Sequence, residues 1–160
     1  MNTSRLIIRK FTEDDIDIIY EINNHPECIK FNGWDSMSKE KCRNVLLNWM
    51  SKYSDQSKSG VFCVEEVETG SKVGMTFIVD HNNTQEYEIG FRFRRDKWGN
   101  GYAQEVTKYF IKYAKDKLNA KEIYAEVDTL NTNSRRIFNK LKFKEYEHPS
   151  GPEGVLYRYE

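Results

Sequence analysis

The stretch EIGFRFRRDKWGNGYAQEVTKYF, residues 88–110, changes its period twice and so decides how the rest of the chain is read. Over residues 85–93, Tyr87, Ile89, Phe91 and Phe93 alternate with Glu86, Glu88, Gly90 and Arg92, the two-residue repeat of a strand with one buried face. Glycines at 99 and 101 break the repeat. Ala103, Val106, Phe110, Ile111, Ala114 and Leu118 then recur at helical spacing. A strand thus runs through a glycine-bearing loop, Trp98–Ala103, into a helix. The first turn of a helix leaves backbone N–H groups without intrahelical partners, and its aligned peptide dipoles make that end positive. Glycine lets such a backbone approach a ligand with no Cβ in the way, so Trp98, Gly99, Asn100, Gly101, Tyr102 and Ala103 form a candidate cradle for phosphate oxygens. Asn100 is placed either to cap the turn or to add a donor. The pattern is neither GxGxxG nor a P-loop ending in GK[ST], which disfavours dinucleotide binding and nucleotide hydrolysis.

Working outward, Arg5–Phe11 reads as a first strand. Thr12 opens a helix, with Asp15 in the far place of a capping box and Ile16, Ile19 and Tyr20 on one face. Residues 23–36, including Gly33 and Trp34, read as a long polar loop. From Ser38 a helix sets Cys42, Val45, Leu46, Trp49, Met50 and Tyr53 on one stripe. Val61–Val67 and Val73–Val79 form a hairpin around the turn at 68–72, and a second turn at 80–84 leads into the strand described above. Glu122–Val127 is a strand, Asn133–Leu141 a short helix and Gly154–Tyr159 a last strand. With no repeat or linker, residues 1–160 are expected to form one α/β (α+β) domain, a mixed sheet with helices on its faces.

Composition narrows the function. Lys plus Arg number 25 and Asp plus Glu 25, so no overall basic field gathers nucleic acid or anionic membrane, and any anion must be held by a local site. No window approaches a membrane span of ~20 apolar residues. The N-terminus lacks the pattern of a secretory signal. Cys28, Cys42 and Cys63 form no CxxC pair, which suits free thiols in a reducing cytoplasm better than disulfides or a metal site, so no metal is expected.

Residues 88–106 resemble the acyl-CoA-binding motif of the GNAT superfamily, Gln/Arg-x-x-Gly-x-Gly/Ala, with Trp98, Gly101 and Ala103 in its places. Trp98–Gly99, the later Glu105 and the segment NTNSRRIFNKLKF at 131–143 are similar to the Rim-type branch, the ribosomal-protein N-terminal acetyltransferases. The opening RLIIRKFTEDD fits as well. The resemblance implies a mostly antiparallel central sheet with helices on both faces, and transfer of acetyl from acetyl-CoA to a primary amine by direct attack in a ternary complex. The acceptor would be a protein N-terminus or a small-molecule amine, and the protein a monomer or homodimer. It also implies that backbone groups of Phe91, Arg92 and Phe93 hold the pantetheine arm, that residues 98–103 hold the pyrophosphate, and that Asn131 touches the pantetheine. The acceptor would enter over the early helices and the 23–36 loop, where Trp34 and Asp35 either line its pocket or pack on the domain. The alternative is a non-catalytic acyl-CoA-binding or regulatory domain on the same fold.

The chain departs from the family pattern at four places. Arg95 replaces a common Pro, and Asn100 replaces a phosphate-facing Lys or Arg, for which Arg94, Arg95 or Lys97 could compensate. Lys142 stands for the Gly before Phe143. Phe138 holds the place of a Tyr that would protonate the departing thiolate. The attacking amine must be neutral, so a base is useful; Glu88, on the strand leading to the loop, is the candidate, against the alternative of a strand carboxylate paired with a cation. Ser134, one helical turn before Phe138, is the candidate acid, against a capping role. Glu105 reads as structural, its charge complementing the helix dipole. His25, His81 and His148 are scattered, the last two in turns, and none is taken as catalytic.

Overall fold

The computed structural model describes residues 1–31, 35–54 and 58–160. In chain order the elements are β1 (Leu6–Lys10), α1 (Ile16–Ile22), α2 (Pro26–Ile29), α3 (Lys39–Ser51), β2 (Gly60–Glu66), β3 (Lys72–Val79), β4 (Glu86–Phe93), α4 (Tyr102–Leu118), β5 (Glu122–Asp128), α5 (Thr132–Lys140), β6 (Lys144–Glu147) and β7 (Gly154–Tyr159). One sheet of seven strands, ordered β1-β2-β3-β4-β5-β7-β6, carries them all. Every neighbouring pair is antiparallel except β4 and β5.

Alternation along the strands splits the core in two. Ile8, Val64, Ile89, Phe93, Ile123, Ala125 and Tyr157 point to one face, where Val106, Phe110 and Ala114 of α4 and Phe138 of α5 cover them. Cys63 and Met75 point to the other face, under Ile16, Ile19 and Ile22 of α1 and Cys42 and Leu46 of α3. Burying each such aliphatic side chain contributes about 1.5–3 kcal/mol, so the helices are fixed by these stripes.

The sequence reading differs from the structure at a few elements. Within the expected 23–36 loop the chain makes α2, with Pro26 at its first position and the His25 ring accepting from the Glu27 N–H. Asn32, Gly33 and Trp34 lie outside the described residues. Tyr20, expected on the buried face of α1, is exposed. Tyr53 falls past the end of α3, where it accepts a bond from the Phe11 N–H (3.2 Å). An unanticipated edge strand, β6, pairs with β7 although all four of its residues are exposed.

The parallel pair matters most for the site. β4 and β5 are registered only at Glu86↔Glu122, Tyr87↔Ile123 and Glu88↔Tyr124. Beyond Glu88 the strands part: β4 runs on to Phe93 beside β3, and β5 runs on to Asp128 beside β7. A V-shaped gap therefore opens in mid-sheet, with Glu88 and Tyr124 at its apex.

Candidate active site

The loop after β4 has the geometry its glycines predict. Gly99 and Gly101 both adopt left-handed backbone, φ +80° and +79°. A Cβ on Gly99 would meet nothing within 4 Å, and one on Gly101 would meet only the Arg5 guanidinium, at 3.6 Å. Gly101 is the N-cap of the 17-residue α4, so the first N–H groups of that helix open onto uncrowded space. Asn100 does not cap α4; its amide donates to the carbonyl of Lys97 (3.0 Å) and tightens the turn before the loop. The Trp98 indole N–H donates to the Phe93 carbonyl (2.9 Å), clamping the loop to the end of β4, while Arg95 lies over the Trp98 ring.

Arg5, which sequence reasoning passed over, braces the loop from β1. Its guanidinium donates to the Asn100 carbonyl (3.0 Å), pairs with Glu105 and stacks on Tyr102. Glu105 also accepts from the Arg5 N–H (3.0 Å) and the Ser4 hydroxyl (3.2 Å). Although burial pushes the Glu105 carboxyl upward, its bonds from Thr3 and Arg5 prevail and hold it below its ordinary range. Its role is structural.

The cations expected to offset Asn100 are engaged elsewhere. Arg94 pairs with Glu21 and Asp96, Arg95 with Glu27, and Lys97 with Glu66 (2.8 Å). Lys97, with Thr69 and Tyr102, holds the Glu66 carboxyl down to about 2. Further lysines lie between α4 and α5, where Lys108, Lys115, Lys140 and Lys142 line a cleft of about 350 Å³ beside Lys112, which is paired with Asp116 (2.6 Å).

Along the gap, the three consecutive residues of β4 are not equivalent. The Arg94 N–H donates to Val73 on β3 (2.9 Å). By the two-residue alternation of a strand, the peptide groups of Arg92 also face β3, and those of Phe91 and Phe93 face the open gap. The Phe93 carbonyl already accepts from Trp98 and from the Cys28 thiol (3.6 Å), so Phe93 has its N–H to offer. The Arg92 side chain lies on the opposite face, against Asn23 (3.4 Å), and burial lowers its pKa to about 10.

On that opposite face Glu88 stands at the apex of the gap, its side chain 19% exposed. Burial raises its pKa and Glu126 reinforces the rise, while His81 opposes it. His81 reaches in from the β3–β4 turn, with Nε2 2.7 Å from Glu88 Oε2. Burial first, then the carboxylates of Glu88 and Glu126, push the neighbouring Tyr124 hydroxyl up to about 12. His148 Nε2 lies 3.3 Å from Glu126. The sequence held no local signal for these pairings, because strand register creates them.

On α5, Asn131 is the N-cap and its side-chain oxygen accepts the Ser134 N–H (3.1 Å), leaving the amide NH₂ as its donor half. Ser134 is half-buried one turn before Phe138. Phe138 is 2% exposed, stacked on Phe91 and Tyr157, with Phe143 edge-on. Asp35 is exposed. Among the described residues, metal-type ligands converge at Asp15, Cys63 and Glu65, but the carboxylates there are bound to Arg9 and Lys72. Burial pushes the Cys63 thiol up to about 12, so the cluster reads as an ion-pair network.

Comparison with known proteins gives a consistent picture. The family described as "Acetyltransferase (GNAT) domain" matches residues 5–144. "Uncharacterized N-acetyltransferase p20" of Bacillus licheniformis is 28% identical over 160 residues, covering 99% of this chain and 85% of that protein. The crystal structure of a GNAT-family acetyltransferase from Bacillus anthracis superposes with a TM-score of 0.84 at 25% identity, over 99% of this chain and 95% of that one. Spermidine N-acetyltransferase from Vibrio cholerae, solved with CoA and spermine, gives 0.79 at 18% identity over 98% of this chain and 94% of that one, a likeness of fold.

Proposed function

The chain belongs to the GNAT acetyltransferase family, and from that premise we propose that it carries acetyl from acetyl-CoA to a primary amine by direct attack in a ternary complex. The observation that carries this reading is the parting of β4 from β5 directly after Glu88 and Tyr124, beside a glycine-capped helix N-terminus. The pyrophosphate sits on residues 98–103, where the N–H groups of α4 meet it. The pantetheine arm lies in the gap against the peptide edge of Phe91 and Phe93, with the Asn131 amide as a further donor.

The acceptor enters on the other face, where Glu88 and Glu126 favour a cationic amine, a protein N-terminus or a small molecule. Glu88 takes the ammonium proton, backbone N–H groups at the gap steady the oxyanion, and Ser134 donates to the departing thiolate. No step calls for a metal. Trp98–Gly99 and the Asn131–Ser134 spacing support the Rim-type branch, and residues 1–160 work as one catalytic unit, monomer or homodimer. Balanced charge and free cysteines support a cytoplasmic setting. Among the described residues no helix is long and apolar enough to cross a membrane.

The test is thiol release from acetyl-CoA with spermine, an aminoglycoside and Ser- and Ala-initiated peptides, together with calorimetric binding of acetyl-CoA. Turnover is expected with at least one amine. Binding without turnover across such a panel would favour the non-catalytic alternative. Gly101→Asp puts a side chain and a like charge against the phosphates and is expected to abolish tight binding. A folded variant that binds acetyl-CoA as the parent does would show the loop assignment to be wrong.

A further inference from the structure

We propose that His81 is the positioning and proton-relay partner of Glu88, passing to solvent the proton that Glu88 removes from the acceptor amine. The inference rests on Glu88 acting as the base. It starts from an asymmetry at the apex of the gap. Glu88 is 19% exposed, whereas His81, bonded to it at 2.7 Å, is 53% exposed. One half of the pair is enclosed beside the acetyl site and the other half opens to water. A base enclosed by protein turns over only if its proton can leave, and the bound acceptor blocks the inward route.

The surroundings favour the outward route. Glu88 faces Glu126 and Tyr124 on β5 and His81 at the β3–β4 turn, and Asp80 and Glu86 add their charge around Tyr124. His148 lies against Glu126, and Arg158 of β7 pairs with Glu122, so each is engaged on a carboxylate other than Glu88. His81 is the one cation-forming group bonded to Glu88 among the described residues. The turn also holds the ring in place: Asp80 accepts the N–H groups of Asn82 (3.2 Å), Thr84 (3.1 Å) and Gln85 (2.8 Å), fixing the backbone on which His81 sits.

The protons balance as follows. R–NH₃⁺ gives a proton to the Glu88 carboxylate, and the His81 ring takes a proton at Nε2, the nitrogen facing Glu88, and gives up one from Nδ1 to water. The neutral amine attacks the thioester carbonyl, the C–N bond forms and the C–S bond breaks. The second amine proton ends on the CoA sulfur, so acetyl-CoA and R–NH₃⁺ become the amide, CoA-SH and one released H⁺.

The experiment measures kcat/KM against pH, at low and high buffer concentration, for the parent, His81→Gln, His81→Ala and Glu88→Gln. It uses the fastest acceptor among spermine and the Ser- and Ala-initiated peptides. His81→Gln keeps a polar amide beside Glu88 but cannot relay a proton. It is expected to lose on the order of tenfold at neutral pH in dilute buffer, a fraction of the ~10²–10⁴ of a full general base. The loss should shrink as pH approaches the amine's own pKa. Added imidazole should restore His81→Ala, which a merely structural role would not allow. A parental profile for His81→Gln alongside a slow Glu88→Gln overturns the relay and leaves the base standing. A parental profile for Glu88→Gln overturns the base and the relay with it. Thermal melts confirm that each variant is folded, and an NMR titration of the His81 ring in parent and Glu88→Gln shows the pair coupled or uncoupled without reference to turnover.

Discussion

Ser134 and Phe138 occupy one side of α5, a turn apart, and the chemistry asked of them differs from what the family pattern supplies. Phe138 is a core residue, stacked among Phe91, Phe143 and Tyr157, with no proton to give. Ser134 is half-buried, and Asn131 rather than its own hydroxyl caps the helix by taking its N–H. A hydroxyl relieved of capping is available to meet the CoA sulfur as the intermediate collapses. Ser134→Ala is therefore expected to lower kcat by about tenfold, or roughly 1.4 kcal/mol, with acetyl-CoA affinity little changed. Pre-steady-state kinetics check that chemistry limits the rate; if it does and kcat is parental, water is the acid. The strand, the loop glycines and the helix after them were legible in the sequence because their signal is local: a strand period, two glycines and a helix. His81, Arg5 and the engagement of Lys97 by Glu66 were not. Each is a pairing across sequence that only strand register or the approach of β1 to α4 brings about.

At the scale of elements, the sheet depends on a close approach that alternation alone does not reveal. An added Cβ at Gly90 would lie 2.3 Å from the Phe77 ring, its cross-strand partner on β3. The ring thus lies flat across β4 on the face that carries Glu88, two residues away. Gly90→Ala is expected to destabilise the fold by about 1–3 kcal/mol, the usual cost of overpacking. Gly90→Ala with Phe77→Leu should recover much of that loss. Equal urea midpoints for the single and double variants would show that the ring is not what the methyl meets. The strands and long helices could be read to within a residue or so because each carries a clear period over its whole length. The exceptions have physical causes. β6 (KEYE) has no buried face and exists as an edge strand paired to β7, its charges guarding the sheet against further pairing. α2 is a single turn, too short for a period, and its Pro26 and His25 cap sit among residues that otherwise read as a loop.

Across the whole molecule, one ion-pair network ties the first helical segment to three strands. Asp15 is fully buried; it accepts from Arg9 at 2.7 and 2.9 Å, from Lys72 at 2.7 Å and from the Thr12 N–H at 2.8 Å, and Arg9 also binds Glu65. In sequence Asp15 showed only its capping role, since nothing local announces that Arg9, Glu65 and Lys72 meet there. The network seats α1 over the sheet, and α1 and α2 in turn border the strand end that carries Arg92 and Phe93 through Asn23 and Cys28. Burial disfavours the Asp15 carboxylate, but its bonds from Arg9, Lys72 and Thr12 outweigh that and hold its pKa well below the ordinary range. A carboxyl depressed in the folded state contributes stability that is fully present above its unfolded value, about 3.9, and is lost as pH falls below that value towards the folded one. Asp15→Asn is expected to cost about 2–4 kcal/mol at pH 7, where the charge is removed from an intact network. The cost should be smaller at pH 3, where the unfolded parent binds a proton that its folded form resists. Urea unfolding of parent and variant at both pH values reads this directly. A stability difference equal at pH 7 and pH 3 would mean that Asp15 holds α1 by shape and hydrogen bonding alone, with no charge behind it.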